Sequence, residues 1–288
     1  MAATSATTLV VGGTGKTGRR VAERLVARGL PVRIASRAGS PRFDWAEPAT
    51  WGPVLQGVGA VYLAYAPDVA APGAEGRLRH FAQVAVEAGV RRLVMLSGRG
   101  EPQAQVSEAG VRASGVGLTV LRSAFFAQNF SEGHLVESLL SGELAFPAGQ
   151  VAEPFVDAED LADVAVAALT DARHVGQVYE LTGPRLLTFG QAVAEISEAA
   201  GRPMRYVPIT PQQYAEALAP YLPEGEAEFL AQLFSQVLDG HNAHLADGVQ
   251  QVLGRAPRDF RDFAREAAAR GSWVQRAAGL AGLRCPAR

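Results

Sequence analysis

Over its first 130 residues the chain alternates short apolar runs with amphipathic stretches. Thr7-Thr8-Leu9-Val10-Val11 is continuous rather than alternating, which predicts a strand buried on both faces. Residues 16–28 then place Val21, Ala22, Leu25 and Val26 on one stripe and Arg19, Arg20, Glu23 and Arg24 on the other. That is a helix with a solvated face, ended by Gly29 as a C-terminal cap. Residues 31–37 read as a second strand closed by the turn Ala38-Gly39-Ser40-Pro41, with a short third strand expected at Arg42-Phe43-Asp44 and a helix through 51–56. Further strands at 59–65, 92–97 and 118–121 alternate with helices at 73–88 and 108–114. Strands separated by helices of this length predict an α/β chain with a parallel, doubly wound sheet and right-handed crossovers.

Beyond Phe130 the rhythm loosens. Helices are expected at 132–140, 158–169 and 189–200, the last closed by Gly201, with a Gly/Pro-rich stretch at 142–154 and a late strand at 178–181. From 211 to 270 the pattern is mostly helical. The expectation is a dinucleotide-binding Rossmann domain over 1–130 and a smaller, mostly helical substrate lobe over 131–288, interwoven with the sheet. The ligand crevice would lie between them, at the carboxyl ends of the strands.

Composition narrows the class. With 288 residues and 48% apolar side chains the chain can bury its cores without disulfide or metal staples. Its single cysteine, Cys285, has no internal partner, which suits a reducing compartment. A formal net charge of −2 supplies no basic face, so nucleic acid is not an expected partner. No apolar run has the length of a membrane span, and MAATSATT lacks a basic leader. A cytoplasmic protein, monomer or homodimer, acting on a small molecule is expected.

The chemistry begins in Val10-Val11-Gly12-Gly13-Thr14-Gly15-Lys16-Thr17-Gly18. Gly-Lys-Thr suggests an ATP loop, but a Walker motif would need a glycine at Val10, inside the strand. What remains is Gly12-x-x-Gly15-x-x-Gly18 between a strand and a helix, a variant of the dinucleotide fingerprint in which Gly12, Thr14, Gly15, Lys16, Thr17 and Gly18 form the phosphate turn. No Asp or Glu occurs between Leu30 and Pro41 to bind ribose hydroxyls; Ser36 and Arg37 stand there instead. Both can hold a 2′-phosphate, which favours NADP(H), against the plainer reading of Arg37 as an ordinary surface arginine. Lys16 is placed near the pyrophosphate or the adenosine phosphate, or else is a solvated first-turn residue. Asp44 approaches the adenine or caps the turn before Trp45.

The glycine loop, Phe43-Asp44-Trp45, the run Leu121-Arg122-Ser123-Ala124-Phe125-Phe126-Ala127-Gln128-Asn129-Phe130, Phe155-Val156-Asp157-Ala158-Glu159-Asp160-Leu161-Ala162 and Tyr179-Glu180-Leu181-Thr182-Gly183-Pro184 together resemble the NmrA-like family. These are atypical members of the extended short-chain dehydrogenase/reductase superfamily, and the similarity is strongest to the branch of ergot-alkaloid reductases. The resemblance implies that Ala64, Tyr65, Ala66, Ser97, Gly98 and Arg99 lie along the nicotinamide half of NADP. It also implies that 123–129, with Phe125, Phe126, Gln128 and Asn129, closes over the substrate. His134 joins Tyr65 and the two phenylalanines in the expected crevice. Ser123 departs from the proline that relatives commonly carry after the arginine.

Lys16 is the only lysine in the chain. The Tyr-x-x-x-Lys pair of tetrad-bearing dehydrogenases, in which lysine lowers the tyrosine pKa, is therefore excluded. An iminium or quinone acceptor would need little acid catalysis; otherwise Tyr65 and Ser97 are the positional candidates for proton transfer, competing with roles as a packing aromatic and a turn hydroxyl. The resemblance leaves three readings: an NADPH-dependent reductase of a small apolar or aromatic metabolite, a non-catalytic NADP(H)-sensing regulator, and a non-redox cyclase. Among the remaining features, His241 and His244 have no third ligand, so no metal site is expected. Asp157 and Asp160 read as capping and first-turn residues of the next helix. Ser107, Ser123 and Ser131 lack a nucleophile-elbow context. Residues 258–270 read as a solvated amphipathic helix.

Overall fold

The computed structural model describes residues 6–133 and 135–274. In chain order its first half runs β1 (Thr7–Val11), α1 (Lys16–Ala27), β2 (Val32–Ala35), α2 (Trp51–Leu55), β3 (Val58–Leu63), α3 (Ala74–Glu87), β4 (Arg92–Gly98), α4 (Pro102–Arg112) and β5 (Gly117–Ser123). The second half runs α5 (Leu135–Ser141), β6 (Glu143–Phe146), β7 (Ala152–Glu153), α6 (Ala158–Thr170), β8 (Val178–Leu181), β9 (Leu187–Thr188), α7 (Phe189–Ala200), β10 (Arg205–Pro208), α8 (Pro211–Leu218), α9 (Glu226–Val237), α10 (Gly248–Leu253) and α11 (Phe260–Ala269). Six strands form one parallel sheet in the order β2-β1-β3-β4-β5-β8. The order reverses at β1, and an open α/β sheet holds its ligand at the carboxyl ends beside such a reversal.

The continuous apolar runs are explained by helices on both faces. Leu9 and Val11 pack with α2, α3 and α4 through Trp51, Leu78, Phe81 and Val111. Val10 between them points the other way, into α1, α6 and α10 with Val21, Leu25, Leu161 and Val249. A third core belongs to the later elements and is aromatic: Phe130, Phe146, Phe155 and Phe189 are at most 2% exposed, and the Phe146 and Phe189 rings stack at 4.9 Å. No helix among the described residues is long and apolar enough to cross a membrane.

Several expected elements differ. No strand forms at Arg42-Phe43-Asp44; Phe43 instead turns into the core edge-on to Trp45 and Phe81, and among the described residues the sheet has no strand beyond β2. The stretch 142–154 contains β6 and β7, and β10 was not expected either. These strands are only two to four residues long, too short to show an apolar period. Helix α4 starts at Pro102, six residues before the expected 108, because proline suits a first helical turn. In α1, Val26 is 62% exposed whereas Arg20 is 4% exposed. The stripe of arginines does not face water: Arg20 reaches Glu132 and Glu159 at 2.7 Å, and Arg24 reaches Glu159 and Asp163 at 2.6 Å. The second lobe is thus tied to the first helix by charge as well as by apolar contact. Cys285 and His134 lie outside the described residues.

Candidate cofactor groove and active site

The glycine loop is shaped by close approach. Gly12 has φ of +76°, a conformation that only glycine adopts readily. A Cβ on Gly18 would sit 2.2 Å from the Gly12 carbonyl oxygen, so helix α1 leaves β1 more tightly than any side chain allows. Thr14 and Gly15 are exposed, and α1 begins at Lys16 with no acidic residue in its first turn. Its unpaired first N–H groups and the positive end of its dipole therefore face an open cradle suited to a pyrophosphate. Thr17 contributes its main chain only, since its side chain is buried against Tyr62. Lys16 is half-buried: its ammonium donates to Asn129 Oδ1 across the interface between the halves, and burial holds its pKa below the usual lysine value.

From this cradle an open groove of about 770 Å³ passes Gly12, Thr14, Ser36, Arg37, Asp44, Ala64 and Ala66. Arg37 is exposed and has no hydrogen bond or ion pair among the described residues. Asp44 is occupied, its Oδ1 accepting the Ala46 N–H and its Oδ2 an Arg42 N–H, both at 2.9 Å. It shapes the turn that walls the groove, as the capping alternative required. A cradle that only glycine permits, leading to an unpaired arginine and no carboxylate at the end of β2, fits the diphosphate and 2′-phosphate of a dinucleotide.

Tyr65, between Ala64 and Ala66, turns instead into a second, more enclosed cavity of about 200 Å³. Its ring meets Trp45 at 4.8 Å and its oxygen accepts from Arg77 Nη1 at 2.6 Å. Ser97, Gly98 and Arg99 border the same cavity, with Ser123, Phe125, Phe126 and Asn129 opposite and Leu233, Phe234 and Val237 of α9 as one wall. Ser97 and Arg99 are nevertheless spent on structure. The Ser97 hydroxyl donates to Glu108 at 2.6 Å, and Arg122 pairs with the same carboxylate at 2.7 Å, so Ser97 has no proton left for a substrate. Arg99 is 3% exposed, with its three nitrogens donating to Glu180, the Asn242 carbonyl and the His244 carbonyl. Gln128 does not reach the cavity. It binds Asp157 and the Ala158 N–H at 2.7 Å, reinforcing the α6 cap that Asp157 makes on the Glu159 N–H. His241 lies against the Gly100 carbonyl in the strap of residues 239–247, whose Asn242 and His244 carbonyls Arg99 holds, and no group of three metal-binding side chains occurs among the described residues.

Sequence reasoning missed the carboxyls of this cavity: Asp68, Glu101 and Glu153. Glu153 Oε1 accepts the Phe125 N–H at 3.1 Å, while its Oε2 and Glu101 Oε2 are buried without a hydrogen-bond partner among the described residues. Burial, then Asp68 and Glu108, push Glu101 up to about 8; burial pushes Glu153 up to about 7, against the Phe125 N–H and the charges of Arg99 and His241. Asp68 is raised by burial. An acid whose folded pKa lies above its unfolded value loses stability as pH rises between the two, here from about 4.3 to the folded value. Glu101→Gln is therefore expected to match the wild type in thermal melts near about pH 4 and to exceed it above about pH 8. A wild type that gains stability over that interval relative to the variant would contradict this.

The comparisons agree with this architecture. The NmrA-like family model matches residues 44–264. An NAD(P)H azoreductase of Xenophilus azovorans is 34% identical over 285 residues, covering 91% of this chain and 98% of its own. Agroclavine dehydrogenase of Claviceps fusiformis is 31% identical over 281 residues, covering 89% and 96%. The solved NADPH-dependent quinone oxidoreductase from Escherichia coli, in complex with NADPH, shares the fold with a TM-score of 0.75 at 22% identity, over 90% of this chain and 99% of that one. With a six-stranded doubly wound sheet, a glycine cradle at its reversal point and a family model matched over residues 44–264, this chain belongs to the NmrA-like family.

Proposed function

We propose that the protein is an NADPH-dependent reductase of a small apolar or aromatic acceptor: an iminium, quinone, enone or ketone. The observation that carries the reading is the run of Ala64, Tyr65 and Ala66, which joins the groove ending at unpaired Arg37 to the enclosed cavity of Tyr65, Phe125 and Phe126. When bound, NADPH supplies the hydride. The chain binds the phosphates through the Gly12–Gly18 cradle and Arg37, and the aromatic walls hold the acceptor and exclude water. A dry cavity of about 150 Å³ accommodates benzene, so about 200 Å³ suits a ring with small substituents.

The test is NADPH absorbance with a panel of quinones, imines, enones and aldehydes alongside an NADPH binding titration. Turnover with at least one conjugated class is expected. Tight NADPH binding with no turnover in any class would favour the regulator, and product without NADPH consumption would favour the cyclase. The apolar, ligand-sized cavity supports the enzyme over a regulator whose crevice is filled.

A further inference from the structure

Glu101 stands at the N-cap position of α4 but caps nothing. A carboxylate there normally accepts first-turn N–H groups and gains from the helix dipole. Instead the side chain folds back over Gly98: a Cβ on that glycine would lie 2.0 Å from Glu101 Oε1 and 2.1 Å from its Cδ. The carboxyl makes no hydrogen bond among the described residues, its Oε2 is buried, and it borders the apolar cavity. Glu153, 3% exposed, brings a second unsatisfied carboxyl oxygen to the same cavity. Buried polar atoms are rarely left unpaired in native proteins unless a ligand or water meets them.

We propose that Glu101 is the proton donor of the reduction, handing its carboxyl proton to the oxygen or nitrogen of a neutral acceptor bound in the cavity. The inference rests on the reductase reading above. As the acceptor carbon gains hydride, its π pair moves to the heteroatom, which takes the Glu101 proton. NADP⁺ and the Glu101 carboxylate remain, and water returns the proton. This supplies the group that the absence of a second lysine removes, and that Ser97, committed to Glu108, cannot supply. Glu153 is a weaker candidate because Oε1 is anchored on the Phe125 N–H. Burial and the like charges of Asp68, after β3, and Glu108 of α4 keep the Glu101 proton in place, although Glu108 also pairs with Arg122 of β5. Of the other charged groups at this end of the cavity, Arg99 is committed to Glu180, Glu153 comes from β7, and His241 lies on the Gly100 carbonyl. Helix α9 adds only apolar side chains to the cavity.

The test compares wild type, Glu101→Gln and Tyr65→Phe with a neutral quinone or enone and with a preformed iminium, which needs no proton. Glu101→Gln is expected to lower kcat for the neutral acceptor by on the order of 100-fold or more, and that for the iminium by less than about threefold. Wild-type kcat for the neutral acceptor should fall about tenfold per pH unit above the Glu101 titration. Independently of activity, the infrared difference spectrum of wild type against Glu101→Gln, without cofactor, should show the carbonyl band of a protonated carboxylic acid at about pH 7, converting to carboxylate at higher pH. Equal loss with both acceptors, loss confined to the iminium, or loss only in Tyr65→Phe would overturn the proposal. A carboxylate band already present at about pH 6 would do the same. If no acceptor is reduced by the wild type, the reductase reading fails first and the proposal with it. Should Glu101→Gln not fold, a wild-type kcat that stays flat from about pH 6 to pH 10 overturns it.

Discussion

Arg37→Asp is expected to weaken NADPH binding by on the order of 100-fold while changing NADH binding by less than about threefold. The wild-type guanidinium sits past the carboxyl end of β2, exposed and unpaired, on the groove that leads from the glycine cradle. A charge-assisted hydrogen bond contributes about 1.5–3 kcal/mol, and about 2.7 kcal/mol corresponds to a hundredfold. The substitution also installs the carboxylate that repels a 2′-phosphate and accepts from ribose hydroxyls, so NADH has a gain to offset its loss. Because the site is exposed, the discrimination should shrink at high ionic strength. Titrations of both nucleotides at two salt concentrations decide it. Equal losses for NADPH and NADH would show that Arg37 does not read the phosphate.

What was legible in the sequence follows a physical division. The glycine cradle could be read because its demands fall on consecutive backbone positions: a positive φ at Gly12 and contact too close for a Cβ at Gly18. The sheet could be read because strands covered on both faces are continuously apolar. The cavity was legible in Tyr65, in 97–99 and in the run that holds Phe125, Phe126 and Asn129, but not in its carboxyls. Phe125 and Phe126 belong to one run, whereas Asp68, Glu101 and Glu153 come from three distant segments, and nothing local marks them as converging. One signal was present: Glu153 is a lone acid in the otherwise apolar Val151-Ala152-Glu153-Pro154-Phe155. The polar stripe of α1 misled for the complementary reason. Amphipathicity separates apolar from polar faces but does not say whether the polar face meets water or, as for Arg20 and Arg24, carboxylates of another element. Similarly, Ser97 and Arg99 occupy the expected border of the site, yet Glu108 and the 239–247 strap, unseen as partners, decide what their side chains do.

Asp160→Ala is expected to destabilise the protein by about 3 kcal/mol, because a residue that reads as a simple first-turn acid is a buried junction. Asp160 is 0% exposed; its Oδ2 accepts the Arg258 main-chain N–H at 2.6 Å, and its Oδ1 meets the Arg258 and Arg255 guanidinium groups at 2.6 and 2.7 Å. Helix α6, which packs on the sheet, is thereby fastened to the segment that leads into α11 in the aromatic core. Breaking a buried pair from one side costs about 3–5 kcal/mol. The lower end applies because both arginines are more than one-third exposed and keep Asp163 as a partner. At about 2–4 °C per kcal/mol for a chain of this size, the melting temperature should fall by roughly 6–12 °C. Asp160→Ala combined with Arg258→Ala should cost less than the sum of the two single variants, since each removes the same contact. The main-chain N–H of Arg258 stays unsatisfied in both Asp160 variants, so the double variant should not recover wild-type stability. A loss below about 1 kcal/mol would mean that water replaces the carboxylate at this junction, and that α6 and the segment leading into α11 are held together by their other contacts.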